Sequence, residues 1–159
     1  MTLELRRNGS RPLRIGHRGA PALGPENTLH SLARALEHPL DLVELDVIAT
    51  ADGHVVVGHS YHLAELTHGG ARGSARRRSL VELRRIVPEL PTLDEALELV
   101  TAEAPHVGVQ IDMKEAGYEA PVLAALRRHG LLERSFVSSY FARSLRAVAA
   151  VEPGLPRSL

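Results

Sequence analysis

The chain has 159 residues, with 19 Lys and Arg against 19 Asp and Glu, so its formal net charge is zero. That length suits one domain with a real core, and the charge balance argues against nucleic acid or an anionic membrane surface as a dominant partner. Cys is absent, which excludes a disulfide framework, a thiolate metal site and a Cys nucleophile.

The first nine residues contain no apolar targeting segment, and no run of about 18 apolar residues occurs. The expectation is a soluble, cytoplasmic protein with no stable membrane insertion. Nine His stand against three Tyr, two Phe and no Trp, which draws attention to His chemistry and away from aromatic stacking.

In chain order, residues 1–12 read as a loose arm, and 13–159 as the folded domain. Residues 13–16 form a short apolar strand ending in Gly16-His17-Arg18-Gly19, followed by a Pro- and Gly-rich loop. Thr28 can cap a helix with Leu29, Leu32, Ala33 and Leu36 at helical spacing, and Pro39 closes it. The next strand alternates. Val43, Leu45 and Val47 face one way, and Glu44 and Asp46 the other. Those two carboxylates sit about 6–7 Å apart at Cα, close enough to repel unless a cation lies between them. Thr50-Ala51-Asp52-Gly53 is a turn, Val55-Val56-Val57 a buried strand, and Gly58-His59-Ser60 its end.

Residues 60–78 are polar and include Arg76-Arg77-Arg78, and they read as a long loop over the site or an excursion from the fold. A short helix follows over 79–86. Thr92-Leu93-Asp94-Glu95 is a capping box opening a helix to about residue 104. A strand over 107–112 leads into Asp112-Met113-Lys114. A helix over 120–129 stops at Gly130. A strand over 136–139 and a helix over 144–151 complete the order. Such alternation implies a largely parallel sheet with crossover helices, either doubly wound and open or of (β/α) barrel type.

The strand ends collect chemistry. His17 and Arg18 follow the first strand, Glu44 and Asp46 lie on the second, and His59 follows the third. Asp112 and Lys114 end the fourth, and Ser138 and Ser139 the fifth. In parallel α/β folds this rim is where ligands bind. Three carboxylates (Glu44, Asp46 and Asp112) with no Cys favour a hard cation, Mg²⁺ or Ca²⁺. Arg18 and Lys114 suit an anion. His17 and His59 can serve as acid and base near neutral pH. Together they describe phosphoryl chemistry, and the lack of a P-loop disfavours nucleotide triphosphate hydrolysis.

The runs Ile15-Gly16-His17-Arg18-Gly19, Pro25-Glu26-Asn27-Thr28, Glu44-Leu45-Asp46, Thr50-Ala51-Asp52-Gly53 and His59 resemble the signature of the glycerophosphodiester phosphodiesterase family, metal-dependent enzymes on a TIM barrel. The resemblance is dense over 15–60 and weaker through Asp112-Met113-Lys114 and Val137-Ser138-Ser139. It implies an α/β fold of (β/α) TIM-barrel type, incomplete at about the first five β/α units. It implies His17 and His59 as the acid–base pair and Glu44, Asp46 and Asp112 as ligands of a divalent cation. Arg18 and Lys114 would face phosphate, with Glu26 and Asn27 lining or bracing the site.

The substrate it implies is a small-molecule glycerophosphodiester, in which attack by the neighbouring glycerol hydroxyl frees the alcohol and leaves glycerol phosphate after hydrolysis. Three departures stand out. Asp112 stands where the family usually has Glu, Ser60 follows His59 where Asp is common, and about three barrel strands are missing. An open five-stranded piece exposes sheet edges and inner barrel surface, so the expectation is a longer protein, a truncated product, or a homo-oligomer in which a second copy completes the fold. The alternative function is a catalytically inactive relative that binds only metal, phosphate or a partner. A related sphingomyelinase of phospholipase D type is disfavoured, because the loop over 60–78 is too polar for a lipid entry surface.

Overall fold

The computed structural model describes residues 11–159, so the arm expected over 1–12 lies outside the described residues except for its last two positions. The elements in order are β1 (Ile15–Gly16), α1 (Leu29–Leu36), β2 (Leu42–Ala49), β3 (Val55–Val57), α2 (Leu63–Leu66), α3 (Leu80–Arg84), α4 (Leu93–Glu103), β4 (Gly108–Met113), α5 (Glu119–Arg128), β5 (Ser135–Ser138), α6 (Ala142–Val151) and β6 (Arg157–Ser158), with one 3₁₀ turn at Leu132–Arg134.

Strands β1, β2, β4, β5 and β6 lie side by side in that order, and each pairs in parallel with the next. A doubly wound sheet reverses strand order at a switch point. This sheet never reverses, so its winding is that of a (β/α) barrel. The alternation on β2 holds as expected. Val43, Leu45 and Val47 join Val109, Ile111, Met113 and Val137 in a core with Leu32, Leu97, Val122 and Leu126 from the helices. Glu44 and Asp46 therefore take the opposite face, and their partners across the β2–β4 pairing are Gln110 and Asp112.

Local signals explain the helix starts. The Thr28 hydroxyl accepts the Ser31 amide at 3.1 Å. Thr92 and Glu95 cap each other reciprocally at α4, and Ser79 and Glu82 do the same at α3.

β3 differs from the expected order. It pairs antiparallel with β2, Val47 opposite Val57 and Ala49 opposite Val55. The reason lies in the connection. A parallel crossover needs a dozen or more residues, and the Asp52-Gly53 turn supplies only a hairpin, with Gly53 at φ 85° and the Thr50 amide bonded to His54 O at 2.8 Å. A sixth strand, β6, adds to the expected five, and its two polar residues carry no strand pattern in the sequence.

The stretch over 60–78 is also more ordered than a loop. It contains α2, and Leu63 joins Ile48, Val56, Ala75, Leu83 and Leu90 in a second apolar cluster. Arg76 stacks 4.2 Å over the Tyr61 ring and pairs with Glu115, so one member of the triple Arg is a structural tie.

The turn after β1 is fastened to α1. Fully buried Ser31 accepts the Ala20 amide at its hydroxyl, 2.8 Å, and at its carbonyl, 3.1 Å. Its own hydroxyl donates to Arg18 O at 3.2 Å. Gly19 sits against this fastening at φ +84°, and a Cβ there would lie 2.6 Å from Ser31 Oγ. Gly19→Ala is therefore both strained and overpacked, and should lower stability by about 1–3 kcal/mol, read as a fall in the urea midpoint at constant m-value.

Candidate active site

The site is built on the charged face of β2. Glu44 and Asp46 are 4 % and 1 % exposed, so their charges must be compensated inside the protein. The compensation arrives from three directions. From the β1–α1 loop, the Arg18 amide donates to Glu44 Oε2 at 2.8 Å, and Arg18 Nε lies 3.0 Å from Asp46 Oδ2. Asn27 Nδ2 donates to the same oxygen at 2.9 Å. From the end of β4, Lys114 Nζ lies 2.5 Å from Asp46 Oδ1 and also donates to Asp112. From β5, the Ser138 hydroxyl donates to Asp112 Oδ1 at 2.8 Å and accepts from Gln110 Nε2 at 3.0 Å.

The loop holds its two contributors in left-handed backbone, Arg18 at φ 55° and Asn27 at φ 58°. Non-glycine residues adopt that conformation at a cost. It is stabilised by the Asn27 amide, which donates to Arg18 O at 3.1 Å, and by the Ser31 fastening. Arg18 also extends Nη1 to Glu26 Oε1 at 2.9 Å, so Glu26 braces the guanidinium.

The two β2 carboxyls are driven apart in acidity. Burial and the nearby Asp46 and Asp112 charges push Glu44 up to about 8, against the single Arg18 amide bond. Burial also pushes Asp46 upward, but Lys114, Asn27 and Arg18 outweigh it and hold that carboxyl below its ordinary range. The charge of one carboxylate is thus compensated by the protein and that of the other is not.

This arrangement fits a divalent cation. Carboxylate oxygens of Glu44, Asp46 and Asp112 converge within 4.8 Å of one another. Asp46 Oδ1, though close to the Lys114 ammonium, accepts no well-aligned hydrogen bond. Hard oxygen donors without sulfur suit such an ion. The shorter side chain at Asp112 still reaches the cluster, because the β2–β4 register sets it beside Asp46.

The two histidines line different cavities. His17 shares one of about 400 Å³ with Glu44, Gln110, Asp112 and Ser138. His59 shares one of about 570 Å³ with Glu26, Asn27 and Glu65. The β3 hairpin brings His59 to the rim, since the Gly58 amide bonds back to Asp46 O at 2.9 Å. Sequence reasoning missed Gln110, although the period-two rule from Asp112 points to it. It also missed Glu65, whose carboxylate meets His59 Nδ1 at 2.9 Å.

The family model described as the glycerophosphoryl diester phosphodiesterase family matches residues 17–157. A glycerophosphodiester phosphodiesterase of Caldanaerobacter subterraneus subsp. tengcongensis is 32% identical over 155 residues, covering 89% of this chain and 63% of that protein. The crystal structure of a glycerophosphodiester phosphodiesterase from Agrobacterium tumefaciens superposes with a TM-score of 0.80 at 28% identity, covering 91% of this chain and 65% of the other. An Oleispira antarctica phosphodiesterase, solved in complex with the product sn-glycerol-3-phosphate, gives a TM-score of 0.78 at 28% identity, covering 92% and 64% respectively. The chain thus spans less than two thirds of the length of each of these relatives.

The raised Glu44 value makes cation binding and folding depend on pH. Its folded value lies above the ordinary 4.5, so without a cation this group removes stability as pH rises from about 4.5 through about 8. A cation must displace the Glu44 proton below that upper value, so affinity for Mg²⁺ or Ca²⁺ should rise by up to about tenfold per pH unit between about pH 6 and pH 8. Calorimetric titration in buffers of different ionisation heat should detect the released proton, and Glu44→Gln should abolish the release.

Proposed function

The chain belongs to the glycerophosphoryl diester phosphodiesterase family, and from that premise we propose that it hydrolyses glycerophosphodiesters to an alcohol and glycerol phosphate. The observation that carries the reading is the convergence of Glu44, Asp46 and Asp112 within 4.8 Å beside the cationic side chains of Arg18 and Lys114. The product held by the Oleispira relative, sn-glycerol-3-phosphate, supports the substrate class.

Glu44, Asp46 and Asp112 would hold Mg²⁺ or Ca²⁺, which when bound supplies charge stabilisation to the phosphoryl oxygens. Arg18 and Lys114 orient the phosphodiester. An ammonium has three donors; Lys114 donates to Asp112 and pairs by charge with Asp46, which leaves donor capacity for a phosphate oxygen. Asn27 and Glu26 keep the β1–α1 loop and the Arg18 fork in register while substrate binds. One of His17 and His59 takes the proton of the attacking glycerol hydroxyl as its oxygen bonds to phosphorus, and the other protonates the departing alcohol; water then opens the resulting cyclic phosphate to give glycerol phosphate. Tunable imidazoles suit that exchange near neutral pH.

The test is glycerol phosphate release from glycerophosphocholine by the 159-residue chain, with and without EDTA. Hydrolysis should need the cation. His17→Ala and His59→Ala should each lower kcat by about 10²–10⁴-fold, while Glu44→Gln should lose cation dependence along with activity. Cation binding without turnover of any glycerophosphodiester would contradict the catalytic reading and leave a binding protein.

A further inference from the structure

We propose that Glu65 is the positioning residue for His59, holding its imidazole by Nδ1 so that Nε2 is left as a bare acceptor. The proposal rests on the reading of His59 as an acid–base group. Its warrant is geometric. Glu65 Oε2 lies 2.9 Å from His59 Nδ1. A carboxylate can only accept, so the hydrogen in this bond belongs to Nδ1, and the neutral ring then has its lone pair on Nε2.

The chain between the two residues is shaped to make this contact. The Ser60 hydroxyl, which offers no carboxylate to the ring, accepts the His62 amide at 3.0 Å and turns the chain back. Leu63, 1 % exposed, anchors α2 in the second apolar cluster. Leu66 packs against Gly58, where a Cβ would approach its Cδ2 to 2.6 Å. Helix and strand end are thereby pinned on both sides of His59, and Glu65 is presented across the turn. The bond is the leading reason that Glu65 sits below the ordinary carboxylate range, with the Ser60 hydroxyl adding a smaller effect.

Both partners remain partly open, at 38 % and 48 % side-chain exposure. Exposed pairs of this kind contribute little to stability. The contact is therefore better suited to choosing a tautomer and a ring orientation than to holding the fold together. An orienting carboxylate on a catalytic His acts this way by fixing which nitrogen carries hydrogen.

The test compares the unsubstituted chain with Glu65→Ala and Glu65→Asp. Thermal melts should coincide, which keeps folding out of the comparison. In ¹⁵N spectra the neutral His59 ring should be chiefly the Nδ1–H tautomer in the unsubstituted chain, and should shift towards Nε2–H in Glu65→Ala. Turnover in Glu65→Ala should fall by about 10–100-fold in kcat with KM within about twofold, and Glu65→Asp should recover part of it. An Nε2–H tautomer in the unsubstituted chain overturns the proposal, as does an unchanged kcat for Glu65→Ala. If no form of the chain hydrolyses a glycerophosphodiester, the function reading fails, and the tautomer comparison alone decides the role of Glu65.

Discussion

Two carboxylates on one enclosed strand face are the constraint to which the rest of the site responds. Glu44 and Asp46 are separated by a single residue on β2 and are almost entirely removed from water. Strand geometry fixes their spacing, and burial removes the dielectric screening that would let them coexist. Asp46 is answered by Lys114, Arg18 and Asn27, whereas Glu44 receives one backbone amide. The imbalance raises one acid and lowers the other. A third carboxylate, Asp112, adds to it from the next strand. Packing three such groups together is costly for folding alone and suited to holding a cation.

The fold can be followed outward from that face. The β1–α1 loop folds into a clasp whose two key residues accept left-handed backbone to reach the carboxylates. Ser31 fastens the clasp to the helix that packs over the sheet. β2 runs past the rim and folds back as β3, and the hydrogen bond from Gly58 to Asp46 O fixes where the hairpin ends. His59 follows directly, and the small cluster under α2 and α3 supports the turn that carries Glu65. The groups read as chemistry are thus set by backbone bonds to the same strand that carries the charge.

Much of this was legible from local patterns. The alternation of Val43 to Val47 predicted the two faces of β2, and Thr28 and Thr92 marked helix starts that the hydrogen bonds bear out. Gly130 stops α5 with φ 64°. The carboxylate trio was legible as well, because Asp112 ends a strand and period two carries it to the face of Asp46. What was not legible depends on pairing. The direction of β3 follows from the length of its connection to β2, a topological consequence and not a composition signal. Leu63-Ala64-Glu65-Leu66 is too short to show helical periodicity, so α2 was hidden inside a polar stretch. Glu65 meets His59 only because Leu63 and Leu66 are pinned by residues far along the chain, and nothing in six residues of local sequence discloses that.

The central claim is that the β2 carboxylates exist to bind a cation jointly with Asp112. Anomalous diffraction from crystals soaked in Mn²⁺, which shares the oxygen preference of Mg²⁺ and Ca²⁺, tests it most directly. The account predicts one anomalous peak in coordination contact, at about 2.0–2.6 Å, with oxygens of Glu44, Asp46 and Asp112. A peak elsewhere, or Lys114 still bridging Asp46 and Asp112 with no peak between the three carboxylates, would contradict it.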